Sequence, residues 1–216
     1  MPTKVKVNWP EALQPLLKKY KDKRFPLDYK NTYQLVLMVV LAAQDRDANV
    51  NLRAPKLFEA YPDMEALSKV DAPEDLFPYI SGIRNFGHKA AWILDIAKAV
   101  KRDSQIPSTL EALTALPGIG RKSANVILRE MGKPPEGVIV DIHVVLVAPR
   151  LGITKEEDPK KIEADLMKLL PRSEWDVGMA MSFLGREICK PKPDCPHCLM
   201  NPVCAWFAKH KKEFTG

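Results

Sequence analysis

All four cysteines of this 216-residue chain fall in one short stretch, CKPKPDCPHCLMNPVC, from Cys189 to Cys204. The spacing is C-x5-C-x2-C-x5-C. A disulfide framework spreads its cysteines along a secreted chain, whereas four thiols packed this tightly mark a metal site in a reducing compartment. Pro191, Pro193, Pro196 and Pro202 keep the segment out of helix and let it wrap a compact object. Zinc and a [4Fe–4S] cluster both accept four cysteines, and the spacing alone favours neither. His197 lies between two of the cysteines, but four thiolates already complete such a site, so it reads as an exposed loop histidine.

The rest of the chain must supply a scaffold for that loop. Its length allows one large domain or two small ones with a real core. Apolar residues make up 46%, which excludes a disordered chain. Lys and Arg number 33 against 27 Asp and Glu, a net +6 that tilts toward a polyanionic partner. The most apolar run, Leu35 to Ala43, is about half of the ~20 residues that a membrane span needs, and no signal peptide is read. A cytoplasmic protein without membrane partners is expected, nucleoid-associated if prokaryotic.

Helical periodicity dominates. Asn8 to Lys19 carries a stripe of Trp9, Leu13, Leu16 and Leu17. Asn31 can cap TYQLVLMVVLAA, which is apolar nearly all round and reads as a central core helix. DANVNLRAPKLFEAY follows, with Pro55 limiting where it can start, and Asp47 reads as its cap. Short helices are expected in DMEALSK and APEDLFPYI, and a longer one in GHKAAWILDIAKAVKRD. Ser108 is expected to cap TLEALTAL, and later helices to begin at Asp141, about Pro159 and Ser173. No useful stretch alternates as a strand, so the fold class is all-α.

One stretch stands apart, LPGIGRKSANVIL from Leu116 to Leu128. Helix, glycine turn and helix follow one another. Gly118 and Gly120 permit a positive φ and close backbone approach. The turn amides and the new helix start would then make a phosphate-sized anion site, with Arg121 and Lys122 beside it. An ordinary αα-hairpin with a glycine turn is the competing reading. Lys122 sits where a helix dipole disfavours positive charge. That position and burial both favour a neutral amine, the form a lysine nucleophile needs. Nineteen residues on, Asp141 in VIVDIHV is an N-cap by pattern; a carboxylate there could also stabilise positive charge developing on a sugar.

LPGIGRKSANVIL, VDIHV and the terminal cysteines, in this order and spacing, resemble the endonuclease III branch of the helix–hairpin–helix DNA glycosylases. VLAAQDRDANVN and YISGIRNFGHKA are similar to that family's two DNA-probing segments. The resemblance covers nearly the whole chain. It implies a six-helix barrel at about 25–134 that includes the hairpin at 109–132, and a second lobe of residues 1–24 plus 135–216. It also implies a [4Fe–4S] cluster on Cys189, Cys195, Cys198 and Cys204, with the active site in the cleft between lobes. The implied activity is that of a bifunctional glycosylase/AP lyase on duplex DNA with a damaged pyrimidine or an abasic site, acting as a monomer. Lys122 matches the lysine that attacks C1′ and forms a Schiff base, and Asp141 the catalytic aspartate. Gln44 matches the residue that fills the gap left by a flipped nucleotide. Lys190 and Lys192 match a basic loop on phosphates, with a solvated charged loop as the plainer reading.

The chain also departs from the family pattern. The first cysteine interval has five residues instead of six. Arg84 and Asn85 stand where a glycine and a wedge leucine are usual; either could hydrogen-bond an orphaned base. Leu146 and Pro149 replace an arginine and an asparagine, and Pro149 should end or kink its helix. Leu184 replaces a histidine. These departures keep open another lesion, such as uracil, a thymine mismatch or an oxidised purine. A non-catalytic helix–hairpin–helix DNA-binding protein is a third reading, opposed by Lys122. His143 is expected to be a packed histidine, Trp175 and Trp206 to pack around the cysteine lobe, and the KHKK end to be solvated.

Overall fold

Asn31 stands in extended backbone and its side chain accepts a 2.9 Å hydrogen bond from the Gln34 amide. This cap starts the most deeply buried helix of the protein, in which every residue from Leu35 to Leu41 is buried. The computed structural model describes residues 7–214. In chain order its α-helices are α1 (Trp9–Ala12), α2 (Gln14–Tyr20), α3 (Thr32–Leu41), α4 (Asp47–Ala60), α5 (Met64–Ser68), α6 (Phe77–Ile80) and α7 (Phe86–Val100). There follow α8 (Leu110–Thr114), α9 (Arg121–Glu130), α10 (Ile142–Leu151), α11 (Pro159–Leu169), α12 (Val177–Glu187) and α13 (Ala205–His210). The described residues contain no strand, so the fold is all-α.

The chain forms two compact units. The middle unit is Arg24–Pro134, and the terminal unit joins the chain up to Lys23 with the chain from Pro135 onward. Residues 1–6 and 215–216, the ends of the expected second lobe, lie outside the described residues. In the middle unit α3 is the core element and packs on α4, α7 and α9, while α8 packs on α9. Tyr33, fully buried on α3, donates a 2.7 Å hydrogen bond from its hydroxyl to the Tyr61 carbonyl, so the one polar atom of its ring is satisfied.

In the terminal unit α10 lies along α12, and α2 packs on α12 from the other end of the sequence. Two glycines of α12 permit this approach. A Cβ on Gly178 would meet the Ile139 carbonyl oxygen at 2.2 Å, and one on Gly185 would meet the His143 Cβ at 2.7 Å. Tyr20 fixes α2 by packing its ring at a tilt against Phe183, centroids 5.7 Å apart, and by donating to the Glu187 carboxylate at 3.0 Å.

Several expected boundaries move. The N-terminal stripe is two short helices broken at Leu13, next to Pro10 and Pro15. The α4 helix starts at Asp47, capped by Arg46 in extended backbone, and runs through Pro55, which lies on its exposed face where an unpaired carbonyl can meet water. The α8 cap is Thr109, not Ser108: its hydroxyl accepts from the Ala112 amide at 3.3 Å. A single 3-10 turn occupies Arg172–Glu174, and the helix expected from Ser173 begins only at Val177. Pro149 lies inside α10, which ends two residues later at Leu151 and turns off through Gly152 at φ 93°.

Candidate functional site

The glycine turn between α8 and α9 is built by packing as well as by conformation. Gly118 has φ +74°, and a Cβ there would sit 2.7 Å from the Trp92 ring and 3.3 Å from Val40. Only glycine fits both demands. Ile119 is buried and anchors the turn. Gly120, the N-cap of α9, has open space where a Cβ would lie and no side chain to cap the helix. The first amides of a ten-residue helix therefore start beside exposed Gly120, Arg121 and Lys122. Such a helix start attracts anions, through its amides and its dipole. Lys122 is exposed in the first turn of α9, so the burial expected from the sequence is not found.

Asp141 belongs to the terminal unit and is held on both carboxylate oxygens. Oδ1 accepts from the His143 and Val144 amides at 2.9 and 3.0 Å, the N-cap predicted from sequence. Oδ2 accepts a 2.6 Å hydrogen bond from the Ser182 hydroxyl, and the Arg186 guanidinium stands 3.9 Å away. Ser182 is buried on α12. The signal available in the sequence was a serine inside an apolar helical run, where a buried hydroxyl requires a partner. His143 is partly buried, with its Cβ against Gly185, as a packed histidine.

Gln44 and Asn85 lie on two loops of the middle unit and both adopt left-handed backbone, φ 58° and 56°. Both are exposed, as is Arg84. Residues other than glycine hold this conformation only where their surroundings enforce it.

Cys189, Cys195, Cys198 and Cys204 line one recess with Arg150, Leu184 and Trp206 among its other walls. Burial, followed by the neighbouring Cys204, Cys189 and Cys198 sulfurs, pushes the Cys195 thiol up to about 11. Burial raises Cys198 and Cys204 as well. Four sulfurs that repel one another's charge need a cationic body among them to be thiolates together. Among the described residues no group of His, Cys, Asp and Glu converges as one metal ion requires. Four thiols around one shared recess are a donor set that fits a [4Fe–4S] cluster.

Arg150 organises this loop and was not singled out from the sequence. Its guanidinium donates to the Lys190 carbonyl at 2.7 Å and the Pro191 carbonyl at 3.3 Å, and lies 3.6 Å from the Cys189 sulfur. It also sits 5.1 Å from the Trp206 ring, which stacks on His210 at 4.0 Å. Trp206 thus packs on the cysteine loop as expected. Lys190 and Lys192 are exposed, and His197 is an exposed loop histidine bonded to Asp194 at 2.8 Å.

Comparison with known proteins gives one consistent result. Residues 37–172 match the model of the HhH-GPD superfamily base excision DNA repair proteins. The endonuclease III of Synechocystis sp. is 37% identical over 198 residues, spanning 90% of this chain and 90% of that protein. The endonuclease III of Thermotoga maritima is 36% identical over 196 residues, 88% of this chain and 91% of that protein. A trapped covalent intermediate of endonuclease III with DNA superposes with a TM-score of 0.84 at 32% identity, covering 96% of this chain and 100% of that one. A non-covalent endonuclease III–DNA complex gives 0.85 at 31% identity over the same shares. A thermostable thymine-DNA glycosylase, at 20% identity and a TM-score of 0.78, shares the fold.

Proposed function

Since the chain belongs to the HhH-GPD superfamily of base excision DNA repair proteins, in its endonuclease III branch of DNA glycosylases and AP lyases, we propose that it removes an oxidised pyrimidine from duplex DNA and then cuts the strand through a Schiff base on Lys122. The observation that carries this reading is the place of Lys122, exposed in the first turn of α9 behind the Gly118–Gly120 turn. The first amides of that helix take a DNA phosphate and hold the backbone without reading bases. The relative solved as a trapped covalent intermediate with DNA supports a covalent step.

In this mechanism the neutral Lys122 amine attacks C1′ of the flipped nucleotide. The N-glycosidic bond breaks and its electron pair leaves with the base, which takes up a proton. Asp141, oriented by two amides and Ser182, stabilises the positive charge that develops on the sugar. Ring opening gives a protonated imine between Nζ and C1′. Loss of a C2′ proton then expels the 3′ phosphate by β-elimination, and water releases the lysine. Flipping costs a few kcal/mol of stacking and pairing, least for a damaged base, so Gln44 and Asn85 serve as the groups that take the vacated space. Cys189, Cys195, Cys198 and Cys204 would hold a [4Fe–4S] cluster, which when bound cross-links the loop carrying Lys190 and Lys192 to phosphates. Among the described residues no helix is long and apolar enough to cross a membrane.

A second reading keeps this chemistry and shifts the lesion to uracil, a thymine mismatch or an oxidised purine. It draws on exposed Arg84 and Asn85, polar groups at the wedge position. The test is borohydride trapping of the protein and of Lys122→Ala on duplexes with an abasic site, thymine glycol, uracil or 8-oxoguanine, each against four opposite bases. Lysine-dependent trapping led by thymine glycol supports the first reading. Trapping led by another lesion supports the second, and trapping that survives Lys122→Ala overturns the nucleophile.

A further inference from the structure

The loops that carry Gln44 and Asn85 are far apart in sequence, yet one carboxylate joins them. Asp45 Oδ2 accepts a 2.6 Å hydrogen bond from the Arg84 amide, next to Asn85. Its Oδ1 accepts from the Arg46 amide at 2.7 Å, in its own loop. The Asn49 side-chain amide stands 3.2 Å from both oxygens and also donates to the Gly82 carbonyl at 3.0 Å. Arg53, one turn further along α4, donates to Asn49 Oδ1 at 3.1 Å. Its guanidinium crosses over the second loop at Gly82: a Cβ there would fall 1.8 Å from the Arg53 Cζ, so a side chain at that position would have to displace the arginine.

The tie runs in the other direction too. Lys89, 1% exposed on α7, reaches from the helix that begins at the second loop to the Leu41 carbonyl, 2.8 Å away, at the end of α3 where the first loop begins. Burial lowers the Lys89 pKa, against the opposing pull of the Asp45 charge. Burial raises Asp45, but the Arg84 and Arg46 amides, Asn49 and Lys89 outweigh it and hold the carboxyl below its ordinary range. The charged form of Asp45 is therefore the one the loops are built around.

We propose that Asp45 is a positioning residue that latches the two loops into one probe, so that Gln44 and Asn85 enter the duplex at a fixed separation. The proposal rests on the reading above that both residues probe DNA. A gap filler and a wedge must address the two strands of one base pair together, and two loops with left-handed tips cannot keep that spacing unless something holds both. Asp45 and Asn49 do so from one helix start, with Lys89 holding the root.

The test is made on the full chain. Hydrogen exchange is read at the Arg84 amide in the protein, Asp45→Ala, Asn49→Ala and Asp45→Asn. Binding is read with a duplex carrying a tetrahydrofuran abasic analogue opposite 2-aminopurine, whose fluorescence reports unstacking. Asp45→Ala is expected to speed exchange roughly tenfold or more and to weaken the preference for the abasic duplex by about tenfold. Asp45→Asn, which retains one acceptor, recovers part of both. The effects of Gln44→Ala and Asn85→Ala are expected to be non-additive in the native background and additive with Asp45→Ala. Unchanged exchange at Arg84, or additivity already in the native background, overturns the latch. If neither Gln44→Ala nor Asn85→Ala alters binding, the probing reading fails and takes the functional half of the proposal with it, whatever the exchange shows.

Discussion

Ser182 Oγ donates a 2.6 Å hydrogen bond to Asp141 Oδ2, while the other oxygen of that carboxylate caps α10. The two residues lie on packed helices 41 positions apart. The carboxylate is thus fixed in rotation as well as in place. A hydrogen bond to a charged group contributes about 1.5–3 kcal/mol, so Ser182→Ala is expected to slow single-turnover base release roughly tenfold to a hundredfold. DNA binding should stay near native, and Ser182→Thr should restore much of the rate. An unchanged rate would show that the cap alone orients Asp141.

Asp141→Asn separates the cap from the chemistry. Asn and Asp cap helices about equally well, so the melting temperature should change little. Base release should fall by two orders of magnitude or more on the scale of roughly 10²–10³ typical of a lost electrostatic stabiliser. Near-native turnover would leave Asp141 a structural cap.

The two glycines of the turn should fail differently. Gly118→Ala meets both a positive φ and the Trp92 ring, and is expected to cost about 1–3 kcal/mol in denaturant unfolding. Gly120→Ala meets no atom within 4 Å, so its main effect should be on DNA affinity, through a methyl group set before the helix amides. Equal loss of stability in both variants would contradict this division.

Asp45 should show an acid-side signature. Its native pKa lies below the unfolded value of ~3.9, so its contribution to stability is complete above ~3.9 and is lost as pH falls through the lower native value. The Arg84 amide proton should follow that protonation in an NMR titration, with a midpoint below ~3.9. The inflection should vanish in Asp45→Asn. A midpoint at or above the ordinary value would mean that the network does not favour the charged form.

The cysteine loop gives a compositional test. Protein purified without oxygen is expected to be yellow-brown and to contain ~4 iron atoms per chain. Removal of the iron should open 189–204 to proteolysis while residues 24–134 keep their protection. Zinc in place of iron, in colourless protein, would overturn the cluster assignment.

How far the sequence carried depended on range. Caps at Asn31 and Asp141 are local patterns, and both are present. The same locality misplaced a cap by one residue, since Ser108 and Thr109 are both good caps and only packing chooses between them. The Asp45–Arg84, Lys89–Leu41 and Ser182–Asp141 contacts span 39 to 48 residues and leave no periodic trace. A serine in an apolar helix was the visible hint. The exposure of Lys122 was likewise beyond pattern, because α9 runs on from it into buried residues from Ala124 to Leu128.

The terminal unit is made from both sides of the middle one, with α2 seated on α12. Synthesis on the ribosome runs from the N-terminus, and domains fold largely as units as they emerge. Leu13, Leu16 and Tyr20 must therefore wait, with their apolar faces uncovered, until α12 has been translated. The middle unit meanwhile holds all of its own sequence and can close first. A stalled or truncated chain would thus carry a folded middle unit and a sticky N-terminal helix, the species on which a holding chaperone would act.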